Sequence, residues 1–168
     1  LNNYFESVGQ YNTDAFLSCK IKNSNFGLSI GKYFFDGWNP SDPIYEVPKP
    51  RLADINRIKQ WNPKDQLFSK LEYNLVLDSQ KIRTYFNVYK EKITNRGTPR
   101  SPYYESAFDD YYTTKRRNLG MEYQKELKKS SLRILGAFNH FKRIKNTFFN
   151  DLTTLNEQIT GNESDQDT

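Results

Sequence analysis

Residues able to carry acid–base, nucleophilic or metal chemistry are few and scattered in this 168-residue chain. The acidic group in the most suggestive setting is Glu105 with Asp109-Asp110. On a helix, Glu105 and Asp109 would share a face, where two carboxylates can hold a hard cation or act as acid and base. The same acids sit among Tyr103, Tyr104, Phe108, Tyr111 and Tyr112, a composition that equally suits a soluble docking segment, and the docking reading is preferred. His140 is the only histidine and Cys19 the only cysteine. Internal disulfides and zinc sites built from Cys and His are therefore excluded. Cys19 alternates with Leu17 and Ile21, which reads as a buried structural thiol rather than a nucleophile. Gly31-Lys32 lacks the earlier glycine and following hydroxyl of a phosphate-binding loop. No catalytic, cofactor-binding or metal-ligating residue is assigned, and the chain reads as a non-enzyme without a cofactor.

Charge carries more information. Lys115 to Lys145 holds ten Lys/Arg against Glu122 and Glu126, so 10 − 2 = +8, within a chain of net charge +5. On a helix, Lys125, Lys129 and Arg133 would form one stripe, able to meet RNA phosphates or an acidic protein surface, with a solvated face as the plain alternative. Hydrophobic residues make up 36% of the chain, below the roughly 45–50% usual for globular proteins, yet 15% of the chain is aromatic. Tyr and Trp bury area while keeping a polar tip, which suits surfaces that end up covered.

The elements expected to position these residues are mainly α-helical, with a small N-terminal β-hairpin. Leu17, Cys19, Ile21 and then Phe26, Leu28, Ile30 alternate with polar residues or glycine around Asn23-Ser24-Asn25, which predicts that hairpin within residues 1–35. Residues 36–51 contain Pro40, Pro43, Pro48 and Pro50 and read as an extended arm, with Trp38 and Tyr45 as anchors. Residues 52–160 are expected to form two long antiparallel helices of coiled-coil type. The first runs over 63–93, with Asp78 on its seam, either paired with Lys145 or turned to solvent by a register shift. The second runs over 121–160, where steps of four and three from Leu127 reach Ile134, Phe138, Phe141, Phe148, Leu152, Leu155 and Ile159. At 1.5 Å per residue the second spans about 60 Å and the first about 45 Å, leaving Leu152, Leu155 and Ile159 as a seam for a partner. An aromatic linker (Tyr103, Tyr104, Phe108, Tyr111, Tyr112) joins the helices, and residues 161–168 read as an acidic disordered tail.

From these features the expected function is that of a non-catalytic accessory or structural subunit of a large macromolecular assembly, of the organellar respiratory, ATP-synthase or ribosomal kind. The partners would be other protein subunits. The alternatives are an RNA-binding module using the basic face and a filament- or microtubule-lining protein. An intracellular location is expected, in the mitochondrial matrix or another organelle. The sequence has no apolar run long enough for a transmembrane helix. It opens at Leu1 rather than Met, which leaves a removed leader, a trimmed sequence or an incomplete start as readings.

Overall fold

The structure is a computed structural model that describes residues 1–6, 9–39, 57, 59–161 and 164–167. No helix occurs among these residues. In place of two long helices, the chain forms β1 (Asn2–Glu6), β2 (Gln10–Ile21), β3 (Ser24–Phe35), β4 (Lys64–Leu77), β5 (Gln80–Arg96), β6 (Ser106–Glu126), β7 (Ser131–Asp151), β8 (Glu157–Ile159) and β9 (Ser164–Asp167). Strands β1 to β8 follow one another as an antiparallel meander in sequence order, and β9 also pairs with β7.

The expected helices fail for a physical reason that the residues themselves contain. Along β7, Leu132, Ile134, Phe138 and Ile144 fall on one face with His140 and Lys142, and Arg133, Asn139, Arg143 and Lys145 fall on the other with Leu135, Ala137 and Phe141, so the alternation is clearest over 132–134 and 138–139. That is period-two patterning, which only a pleated strand can sort onto two faces. The seven-residue seam collects apolar residues from both sets: Ile134 and Phe138 lie on one face, Phe141 on the other. A coiled coil here would have mixed the two. Asp78 is not on a helical seam either. With Ser79 it makes the turn between Leu77 and Gln80, the first pair of the β4–β5 hairpin. The hairpin predicted over 17–30 is part of the same sheet, turning at Lys22-Asn23, where Lys22 takes a φ of 52°. The coiled-coil assignment is thus replaced by one continuous sheet.

These strands are unusually long. β6 and β7 have 21 residues each, against a typical five or six. Connections are unequal at the two ends of the meander. Lys22-Asn23, Asp78-Ser79 and Leu127–Ser130 turn tightly at one end. At the other end, 7–9 connects β1 to β2, 36–63 connects β3 to β4, 97–105 connects β5 to β6 and 152–156 connects β7 to β8. Most of the predicted arm, including Tyr45, lies outside the described residues. Its start does not reach away from the sheet: Trp38 and Trp61 exchange backbone hydrogen bonds and stack edge to face with ring centroids 5.4 Å apart. Part of the expected disordered tail is ordered as β9, tied to β7 by an ion pair between Lys142 and Asp165 at 2.8 Å.

The buried apolar side chains lie at the end with the longer connections. Ala107 and Leu152 are the buried apolar residues among those described. Beside them, Asp109 is buried against Arg57, accepts the Gly97 amide at 3.0 Å, and takes the Asn150 side-chain amide at 2.9 Å. Burying a polar group without partners is costly, and these donors meet the Asp109 oxygens.

Candidate functional site

Cross-strand registers sort the sheet into two faces, and the two differ in kind. One row on the first face runs Ile21, Ser24, Leu75, Ile82, Tyr123, Ile134 from β2 to β7. The next is Cys19, Phe26, Tyr73, Thr84, Met121, Gly136, and a third is Leu17, Leu28, Leu71, Phe86, Leu119, Phe138. These eighteen positions on six adjacent strands contain no charged residue. At the same depth the opposite face holds Lys20, Lys70, Glu72, Arg83 and Glu122, together with Asn25, Asn74, Asn87, Asn118 and Asn139. Local sequence builds this contrast by plain alternation, since successive side chains on a strand leave opposite faces.

Large apolar side chains on the first face stand exposed. Leu17 is 69% exposed, Phe138 64%, and Leu71 and Leu119 51% each. On the polar face, by contrast, side-chain oxygens of Asn87 and Asn118 are buried. Tyr85 lies over Gly120 and Phe68 over Gly31, each occupying the space that a Cβ would need, so these glycines admit the rings. Charges on that face are matched: Glu72 meets Lys70 at 2.5 Å and Arg83 at 3.3 Å, and Glu122 meets Arg133 at 2.7 Å. A groove of about 460 Å³, lined mainly by Leu17, Phe26, Leu28, Leu71, Phe86 and Leu119, crosses the apolar face.

The apolar rows extend over a definite height. Three two-residue steps, from the Ile21 row through to the Ala15, Ile30, Ser69 and Val88 row, cover roughly 20 Å along the strands. Charges bound the band at both margins. Asp78, Lys125, Lys128 and Lys129 lie at the tight-turn end. At the other margin come Arg117 and then a row carrying Lys32, Lys90, Lys115 and Lys142.

Residues singled out from sequence are placed as follows. The basic stripe does not form, because Lys125 and Arg133 lie on opposite faces and Lys129 lies in the Leu127–Ser130 turn. Leu152 is buried in the chain's own packing, while Leu155 and Ile159 are 61% and 54% exposed on separate short segments. They share no helical seam. Phe108 pairs with Phe149 and Tyr111 with Phe148, both edge to face, and Arg143 lies over the Tyr112 ring. The aromatic residues from Phe108 to Tyr112 are thus part of β6 rather than a linker. Tyr103 and Tyr104 stay in the 97–105 connection, with Tyr103 69% exposed. The carboxylate group is divided: Asp109 faces Arg57, and Asp110 on the other face binds Thr147 at 2.6 Å and Lys145 at 3.0 Å. Cys19 is exposed on the apolar face, not buried. Among the described residues no group of three or more His, Cys, Asp or Glu is placed to hold a metal. The exposed apolar face itself was missed, although its alternation was present between Leu67 and Phe86 and between Leu119 and Phe138.

No helix among the described residues is long and apolar enough to cross a membrane. No family model matches the chain, and no curated protein or solved structure matches it either.

Proposed function

We propose that this chain is part of the wall of a membrane-embedded antiparallel β-barrel, structural rather than catalytic, with its apolar face toward lipid and its polar face toward an aqueous interior. One observation carries the reading: eighteen charge-free, largely exposed positions across six adjacent strands, backed at the same depth by five charges and five asparagines. A strand tilted by about 45° needs about 9–11 residues to cross a bilayer, and β2 to β7 all exceed that. The band's height approaches the ~25 Å lipid-facing zone of such walls once side-chain reach is added. The long connections, 36–63 and 97–105, lie on one side only, in keeping with the same architecture. In hydrocarbon an unpaired strand edge is not tolerated, so both edges of the sheet are expected to pair with further strands.

Neighbouring residues on opposite faces provide the test. Phe86→Arg should weaken insertion of the folded chain into phosphatidylcholine vesicles by about 2–4 kcal/mol, because it places a cation in lipid. Asn87→Arg, one residue along and turned to the polar side, should change it by less than about 1 kcal/mol. Equal effects would remove the distinction on which the reading rests. If the unaltered chain were folded and dispersed in buffer without lipid or detergent, with the band protected, a protein partner rather than lipid would be what covers it.

A further inference from the structure

We infer that the lysine row at the long-connection margin of the band is a docking line for the phosphate groups of anionic lipid headgroups; this rests on the membrane reading above. Lys90 lies directly across from Lys115, and Lys115 directly across from Lys142. On that face, the positions surrounding Lys115 are Thr113, Arg117, Val88, Lys90, Lys92, His140, Lys142 and Ile144, and none is acidic. Like charges directly opposed in a sheet repel, so such a cluster is destabilising unless an anion sits among them. Lys90, Lys115 and Arg117 are all exposed. Within the row, Lys32 and Lys142 do have protein partners, Asp65 at 3.3 Å and Asp165 at 2.8 Å. The centre of the row is therefore where the positive charge is least compensated by nearby acids.

Position decides which anion. The row runs parallel to the charge-free band, two steps beyond Leu71, Phe86 and Leu119, or about 13 Å along the strands. Headgroup phosphates occupy this margin when the band lies in hydrocarbon. A nucleic acid or acidic protein would account for the lysines and leave the adjoining apolar rows unexplained. At the tight-turn margin the corresponding row, Leu77, Gln80, Lys125 and Leu132, has one lysine within the strands, and Lys128 and Lys129 stand beyond it in the turn, with Asp78 in the neighbouring turn. The preference is thus for the leaflet on the long-connection side.

The test uses the full chain with phosphatidylcholine vesicles, with or without added phosphatidylglycerol, and reads association by co-flotation. Each lysine or arginine near an anionic surface is worth about a fivefold change, so Lys90→Gln/Lys115→Gln/Arg117→Gln should lose about a hundredfold of the preference for anionic vesicles. Lys125→Gln/Lys128→Gln/Lys129→Gln, the same charge change at the other margin, should keep most of it. Replacing Lys90 and Lys115 by Arg and Arg117 by Lys should also keep it. Should the triple glutamine variant fail to insert even into phosphatidylcholine, Lys115→Gln alone decides, with about a fivefold loss expected. Equal losses in both triple variants would reduce the effect to net charge and overturn the inference. Competition by inorganic phosphate or an RNA oligonucleotide would also overturn it. If the unaltered chain inserts equally into both kinds of vesicle, this inference fails and the membrane reading stands. If it associates with neither, the membrane reading itself fails.

Discussion

Asp151 shows how a single side chain closes the end of a long strand. Its carboxylate accepts the Thr153 hydroxyl at 2.7 Å, the Thr153 amide at 2.9 Å and the Thr154 amide at 3.1 Å. The Thr153 hydroxyl and these amides favour the ionised form and hold its pKa near 2, below the usual 3.8. A lowered carboxylate pKa contributes stability above the ordinary value and loses it as pH falls through the lowered one. The 152–156 connection should therefore loosen between about pH 4 and pH 2. Limited proteolysis with an acid-active protease would detect this, and Asp151→Asn should abolish the pH dependence. Asp109, on the same strand end as Ala107, plays a different part. It sits buried with Arg57, and so links residue 57 to β6 rather than offering a reactive group.

Within the strands, glycine positions separate the two faces as clearly as the charged ones. A Cβ at Gly120 would meet the Tyr85 ring, which lies opposite it on the polar side. Gly136, on the apolar face, has nothing within 4 Å of where its Cβ would stand. Gly120→Ala should thus destabilise the sheet by about 1–3 kcal/mol through overpacking. Gly136→Ala should be neutral or slightly stabilising. Denaturant unfolding of the detergent-solubilised protein would measure both, and combining Gly120→Ala with Tyr85→Ala should recover part of the first loss. Equal costs at the two glycines would show that the ring is not packed as described. This also explains why β5 and β6 keep their register over 17 pairs: a one-residue slip would move Tyr85 off Gly120 and turn Phe86 and Leu119 toward the charged side.

At the scale of the whole molecule, the sheet has unpaired edges among the described residues. β7 is paired with β6 along its full length, yet on its other side β8 and β9 cover only Phe148–Asn150 and Lys142–Lys145. From Ser131 to Phe141 that side has no strand partner among the described residues. An apolar edge of this length in water is an aggregation site, and in lipid it is untenable unless paired. In vesicle-inserted protein, the amides of β7 from Ser131 to Phe141 that point away from β6 should therefore exchange slowly with deuterium. Fast exchange there would show an unpaired edge and count against placement in a bilayer.

Taken by itself, the sequence determined the chemistry of each face but not that the faces existed. Leu17, Cys19, Ile21 and Phe26, Leu28, Ile30 showed their alternation plainly, as did the scarcity of reactive groups, because both are local properties. From Leu127 to Ile159 the aromatic and aliphatic residues are dense enough to satisfy a seven-residue template and a two-residue one at once. Choosing between those periods required knowing what each residue meets across the strand. Only the tertiary structure set Phe86 beside Leu119, placed Lys90 against Lys115, and carried Lys125 and Arg133 to opposite faces. The reason is that a sheet's faces are defined by register between segments up to tens of residues apart, whereas a helix's face is defined within one turn.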